Sequence, residues 1–227
     1  MSYYVFCGVH IDTPQRFVLL QQMIDSLKEV EDKPTKICLS ISYDECISAS
    51  HAQYKTNDPI IKVWNHSKRK SQVEHIYFIY QITQNEKFDC ILFVDDDDLV
   101  SPKIARVLLY YLLNEGYDVA RGKDIVTDVF NIYENINIKT FKDAMSRENC
   151  CIKTIELRGT MCIRSKLRMA FELYKQSREE KCMKCGTEDT VLFSLLTSIL
   201  DVKVIYIDEP LYYYRYWNNP RTWKKYH

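Results

Sequence analysis

Residues 91–98 read Ile-Leu-Phe-Val-Asp-Asp-Asp-Asp. Four apolar residues that need burial run, with no polar spacer, into four carboxylates that resist it. A short apolar run of this kind reads as a strand buried inside a sheet. Neighbouring carboxylates repel one another and lose hydration on burial unless something cationic sits between them. Hard divalent cations take oxygen donors and often bridge protein carboxylates to a substrate's phosphates. Open α/β sheets place their ligands at the carboxyl ends of the strands. The junction therefore predicts a metal–diphosphate site at the end of a buried strand. The plainer reading is a solvated acidic turn whose last members, Asp97 and Asp98, favour the positive end of a helix that begins near Ser101-Pro102.

The surrounding pattern agrees with an α/β chain. Tyr3–His10 reads as a strand. Pro14–Val30 has helical periodicity, with Phe17, Leu20, Ile24 and Leu27 on one face and Thr13 as the expected N-cap. Strands follow at Lys36–Ser42 and Ile60–Trp64. A helix with a basic start is predicted over Lys68–Ile82, a strand over Cys90–Val94, a helix over Pro102–Leu113 and a strand over Tyr117–Arg121. Repeated βαβ units of this length predict a mostly parallel sheet. The second half is less regular. Residues 122–150 are polar and read as loops and edge strands, and Cys151–Ile163 reads as extended. Helices are predicted over Leu167–Ser177 and Thr187–Leu200, and a strand over Val202–Ile207, ahead of the aromatic run Leu211–Trp217.

Composition narrows the classes. Lys+Arg and Asp+Glu are both 31, so the formal charge is zero, which argues against a nucleic-acid binder. No apolar run reaches the roughly 18–20 residues of a membrane span, and Met1–Ile11 lacks the basic start and apolar core of a secretory signal. Cys7, Cys38, Cys90 and Cys162 lie in apolar runs, where thiols act as small hydrophobes. Together these predict a reduced, cytoplasmic protein. Cys182-x-x-Cys185 has no second such pair, and Cys150-Cys151 is adjacent rather than spaced as a chelate, so the cysteines argue little for zinc.

Four segments, taken in order, resemble the GT-A glycosyltransferases, most closely the inverting, DxD-containing family 2. Thr13-Pro14-Gln15-Arg16, leading into Leu20 and Ile24–Leu27, is similar to that family's opening loop and first helix. Phe93–Leu99 with Pro102 resembles its DxD segment. Arg158-Gly159-Thr160 and the residues to Arg164 resemble the small-residue turn beside the donor sugar. Gly186–Leu192, followed by Val204–Arg215, resembles its ED helix and closing strand.

The resemblance covers residues 3 to about 217 and implies a single GT-A type, Rossmann-like domain over 1–227. Its central, mostly parallel sheet would be flanked by helices, with a small acceptor-side extension. Residues 1–121 would bind the nucleotide sugar and 122–227 the acceptor, with further domains in a longer chain compatible with this division. The implied activity is metal-dependent, inverting transfer of a hexosyl or deoxyhexosyl group from a UDP-linked donor to a hydroxyl of a glycan or other acceptor.

The resemblance also implies roles. Asp97 is the direct ligand of Mn2+ or Mg2+, with Asp95 at the metal or its waters. Asp95 and Asp96 face the ribose, and Asp98 caps the following helix. Asp189 is the general base, supported by Glu188. In isolation, Glu188-Asp189 reads equally as an acidic first turn. His10, Arg16, Ser42, Arg69, Lys70, Arg158, Gly159 and Arg215 are the remaining candidates for the nucleotide sugar. Guanidinium forks match phosphate oxygens, and an exposed ion pair is the alternative for Arg158 and Arg215. A sugar-stacking role for Tyr212–Trp217 stands against ordinary strand packing. Two departures stand out. The second strand ends Ser42-Tyr43-Asp44 where the family often has two acidic residues, and Trp217 stands where many members have a histidine near the metal.

Two other classes fit in part. A sugar-phosphate nucleotidyltransferase shares the sheet, carboxylates and Mg2+, but carries a Gly-rich loop after its first strand, whereas Cys7–Asp12 has one glycine. A sugar-nucleotide or glycan-binding domain without catalysis would have no need of both Asp97 and Asp189.

Overall fold

The structure is a computed structural model, and it describes residues 2–45, 47, 53–126, 151–152, 157–179, 192, 196 and 202–215. In chain order the elements are β1 (Tyr3–Ile11), α1 (Gln15–Lys28), β2 (Lys36–Tyr43), β3 (Ile61–His66), α2 (Gln72–Ile82), β4 (Cys90–Phe93), β5 (Leu99–Val100), α3 (Ile104–Leu113), β6 (Val119–Val126), β7 (Cys151–Ile152), β8 (Thr160–Ile163), α4 (Arg164–Glu179) and β9 (Val204–Tyr214). The described strands form one sheet in the order β3-β2-β1-β4-β8-β6-β9-β5, with β7 on β6. β3, β2, β1 and β4 run parallel. β8 enters antiparallel between β4 and β6, and β6 and β9 are parallel again.

β1 is buried along its whole length because both of its faces are covered. Tyr3, Val5, Cys7, Val9 and Ile11 share a core with Leu20, Met23, Ile24 and Leu27 of α1 and with Ile104, Leu108 and Leu112 of α3. The alternate residues Tyr4 and Phe6 turn to a second core with Val73, Ile76 and Ile79 of α2 and Leu167, Ala170 and Phe171 of α4. This is the period-two alternation of a central strand. Cys7, Cys38, Cys90 and Cys162 are free, buried thiols. Among the described residues no helix is long and apolar enough to cross a membrane.

Several local expectations change. Pro14, not Thr13, sits at the N-cap of α1, and no side chain caps that end. Lys68, Arg69 and Lys70 precede α2 rather than open it. The helix starts from a capping box, in which the Ser71 hydroxyl accepts from the Glu74 N–H and the Glu74 carboxylate accepts from the Ser71 N–H. β6 runs on to Val126, through residues expected to be loop. Val204–Tyr214 is one strand across Pro210, because Pro210 lies where the β6–β9 register shifts and no regular ladder bond is required of it. The helix expected over Thr187–Leu200 lies largely outside the described residues, within which Leu192 and Leu196 are helical and buried in the second core.

Candidate active site

β1 pairs with β2 on one side and β4 on the other, so the strand order reverses between β1 and β4. A crevice opens at the carboxyl ends of strands at such a switch point. The Asp95–Asp98 turn follows β4 there. Its first peptide is pinned where the Asp95 N–H donates to the Tyr212 hydroxyl at 3.0 Å. The Asp98 N–H closes the turn on the Asp95 carbonyl at 3.3 Å. Leu99 and Val100 then join β9 as β5.

The cation among the carboxylates is Arg16. One guanidinium nitrogen lies 2.5 Å from Asp97 Oδ2 and the other 2.6 Å from Asp96 Oδ1. Arg16 is 1% exposed, and both aspartates are 5% exposed. Burial opposes its charge, but Asp96 and Asp97 outweigh burial and raise its pKa. Gln72, at the start of α2, donates to Asp95 Oδ1 at 3.0 Å. Arg215 braces the turn from β9. Its N–H donates to Asp98 Oδ1 at 3.0 Å, its side chain donates to the Asp97 carbonyl, and one terminal nitrogen reaches Gln22 Oε1 of α1 at 2.5 Å.

Asp98 differs from its neighbours. It is fully buried, and burial, then Asp97 and Asp95, pushes its carboxyl well above the usual range. It does not cap the next helix: α3 begins after Lys103, and the Lys103 N–H is met by the Ser101 hydroxyl. Asp98 instead anchors β9.

A second charged cluster adjoins the turn. Arg121 donates to Asp124 Oδ2 at 2.6 Å, Arg158 Nε lies 3.7 Å from the same oxygen, and the Arg158 guanidinium sits 3.6 Å from the Tyr214 ring centroid. Arg121, Asp124 and Arg158 are all buried. Gly159 has φ +67°, donates its N–H to the Phe93 carbonyl at 2.9 Å, and presses on Tyr212 so closely that a Cβ would stand 2.8 Å from the ring. Only glycine takes this position without strain.

The sequence candidates separate accordingly. Asp95, Asp96, Asp97, Arg16, Arg158, Gly159 and Arg215 come together. Arg158 and Arg215 are buried rather than paired at the surface, and Arg16 and Arg215 point their donors at the turn itself. His10 and Ser42 meet at 3.0 Å, and His10 also reaches Asp44 at 2.9 Å. Arg69 is exposed, and Lys70 lies 5.9 Å from the Phe78 ring centroid. Tyr212 and Tyr213 are core residues rather than a stacking platform. Glu188, Asp189 and Trp217, with Cys150, Cys182 and Cys185, lie outside the described residues. Gln72, Arg121 and Asp124 carry no expectation from the sequence, and Tyr212 carries only the stacking one, not its hold on the Asp95 N–H. The Ser71-x-x-Glu74 signature could have placed Gln72 at a helix start; the rest carry no local signal.

The donor set around the turn fits a hard divalent ion. Mg2+ is usually held by one or two carboxylates plus substrate phosphates rather than by an all-protein cage, and among the described residues no group of three or more His, Cys, Asp or Glu could hold a metal by itself. Asp97 and Asp95 would be the ligands. Arg16 and Gln72, each on one oxygen of these, would be the outer partners that orient them.

No family model and no curated protein sequence matches this chain. Solved structures do. S. aureus TarS 1-349 in complex with UDP matches with a TM-score of 0.57 at 13% identity over 95% of this chain and 60% of that one. The complex with UDP-GlcNAc gives 0.58 at 12% identity, over 95% and 58%. The fold is that of a GT-A-type glycosyltransferase. A further TarS structure gives a TM-score of 0.59 at 13% identity, over 95% of this chain and 37% of that one. This chain thus spans between about a third and three fifths of the TarS chains it matches. The GT-A fold places the Asp95–Asp98 turn where the strand order reverses.

Proposed function

We propose that this chain is a nucleotide-sugar glycosyltransferase that takes a UDP-linked sugar and passes it to a hydroxyl of a glycan or other acceptor. The observation that carries the reading is the Asp95–Asp97 turn at the β1/β4 switch point, held by Arg16 beneath and joined to the cationic Arg121–Arg158 cluster. The TarS likeness, with structures solved in complex with UDP and UDP-GlcNAc, supports the nucleotide class. Gly8 lies inside β1 under Gln72 and His75, and not in a phosphate loop, which disfavours a nucleotidyltransferase.

In this reading Asp97 and Asp95 would hold Mn2+ or Mg2+, and the ion would stabilise negative charge on the leaving diphosphate. Arg158 adds positive charge on the same side. Arg16 keeps Asp97 oriented, and Gln72 keeps Asp95 oriented. The family resemblance gives Asp189 the role of general base, with Glu188 in support. Asp189 takes the acceptor hydroxyl's proton. The acceptor oxygen bonds to the anomeric carbon, and the carbon–oxygen bond to the diphosphate breaks with its electron pair leaving on phosphate. Attack from the face opposite the diphosphate inverts the anomeric centre.

Calorimetric titration with UDP and UDP-sugars, with and without Mn2+, tests this. Metal-dependent binding that Asp97→Ala removes is the expected result. A folded protein that binds none of them overturns the reading. Loss of transfer in Asp189→Asn with donor binding kept would assign the base.

A further inference from the structure

On the face of the sheet that α2 covers, three imidazoles and two hydroxyls stand in single file. His66 Nε2 on β3 lies 2.7 Å from the Ser40 hydroxyl on β2, which lies 2.8 Å from His75 Nδ1 on α2. His75 Nε2 lies 3.0 Å from the Ser42 hydroxyl, which lies 3.0 Å from His10 Nδ1 on β1. His10 Nε2 ends the file 2.9 Å from Asp44 Oδ1. Ser40, Ser42, His10 and His75 are buried, whereas the Asp44 side chain is 39% exposed. Gly8 admits the helix this closely: a Cβ there would stand 2.8 Å from that of His75.

With all three rings neutral, proton counting gives the file one direction. A neutral imidazole offers one N–H and one lone pair, a hydroxyl one O–H, and a carboxylate only accepts. Asp44 therefore takes the Nε2–H of His10. His10 Nδ1 must then accept, and Ser42 donates to it at 3.0 Å in preference to the Val9 carbonyl, which lies farther from the hydroxyl at 3.4 Å. Ser42 accepts the Nε2–H of His75, whose Nδ1 accepts from Ser40, and Ser40 accepts the Nε2–H of His66. All three rings end as the same tautomer. Burial, then Lys70, lowers the pKa of His66, which keeps that end neutral. Lys70 beyond His66 and Asp44 beyond His10 polarise the file in the same sense. The helix that carries His75 also carries Gln72, which holds Asp95 at 3.0 Å.

We propose that His66–Ser40–His75–Ser42–His10–Asp44 is one proton-ordered file and that His75 is a positioning residue of the donor site. It fixes the Asp44 carboxylate at the carboxyl end of β2 and, through α2, keeps it in register with Asp95. The positioning role rests on the transferase reading; the proton ordering does not.

Nitrogen-resolved histidine NMR on the full chain tests the ordering. The expected result is that His10, His66 and His75 all report Nε2–H, and that Asp44→Ala, at the exposed end, turns His66 at the other end into a mixture of tautomers. Mixed tautomers in the unaltered protein, or a His66 indifferent to Asp44→Ala, overturns it. UDP titration tests the positioning role. His75→Leu is expected to weaken UDP binding about tenfold, the scale of a buried hydrogen bond left unmade. His75→Gln, whose amide still donates to Ser42, stays within about threefold by the same scale. Equal affinity for UDP in folded His75→Leu overturns the positioning role alone. An unaltered, folded protein that binds no UDP overturns it together with the transferase reading, and the tautomer result still decides the ordering.

Discussion

The two charged clusters at the cleft are opposite in balance. The turn after β4 sets Asp95, Asp96 and Asp97 against the Arg16 guanidinium, while Arg215 places much of its donor capacity on backbone carbonyls and Gln22. The neighbouring cluster on β6 and the β8 approach sets Arg121 and Arg158 against Asp124. One is short of positive charge and the other has a surplus. A diphosphate travelling with a divalent ion suits that pairing, since the ion needs the deficit and the phosphate oxygens need the surplus. The acidic run alone is therefore not the site; the contrast between the clusters is.

The sharpest way to break the comparison is to remove the cation where it is scarce. Arg16→Met leaves Asp96 and Asp97 buried side by side, and breaking a buried pair typically costs about 3–5 kcal/mol. Urea unfolding measures this. Arg121→Met should cost clearly less, because Asp124 keeps Arg158 beside it. Equal losses would mean that charge balance does not distinguish the clusters.

Gly159 lies where the clusters meet, next to Arg158 and against Tyr212, the residue whose hydroxyl pins Asp95. Gly159→Ala puts a side chain at φ +67° and drives a Cβ into the Tyr212 ring. The expected loss is about 2–3 kcal/mol, seen as a lower unfolding midpoint. An unchanged midpoint would show that Tyr212 yields freely and is no rigid support.

The surplus side is tested by affinity. Arg158→Gln should weaken UDP binding about tenfold, near 1.4 kcal/mol, with Arg121→Gln smaller because Arg121 is committed to Asp124 at 2.6 Å. Unchanged affinity in Arg158→Gln would assign Arg158 to holding Tyr214 and Asp124 instead.

The sequence made one of these clusters visible and showed only Arg158 of the other. Strands β1, β2 and β4 are unbroken apolar runs because both faces are covered, and such runs show in sequence to within a residue or two. The same burial made Asp95–Asp98 stand out. Arg121 and Asp124 lie on a strand whose polar residues pair with one another inside the sheet, so residues 122–126 resembled a loop. Periodicity placed Arg16 on α1 but could not show that its guanidinium turns inward. For the same reason the hold of Arg215 on the Asp97 carbonyl and on Gln22 has no sign in the sequence. Pro210 looked like the end of a strand because the register shift that accommodates it belongs to the pairing with β6, not to the local sequence. The basic run Lys68–Lys70 drew the start of α2 too early, although Ser71-x-x-Glu74 marked it correctly.

The smallest effect is a slope, and it separates two adjacent carboxylates. Asp97 lies 2.5 Å from the Arg16 guanidinium, whereas burial and its acidic neighbours raise the Asp98 pKa. A carboxyl whose pKa is raised on folding binds its proton more tightly in the folded state. Its contribution to stability is therefore present at low pH and declines as the pH rises from the ordinary carboxylate range toward the folded pKa. Asp98→Asn keeps an acceptor for the Arg215 N–H and has no proton to lose. The stability of this variant relative to the parent should rise with pH over that window, by at most about 1.4 kcal/mol per pH unit, the limit for one titrating group. Parallel stability curves from pH 4 to 7 would place the charge on Asp98 as well, and the turn would then hold four anions rather than three, a deeper deficit than the contrast with the Arg121–Arg158 cluster assumes.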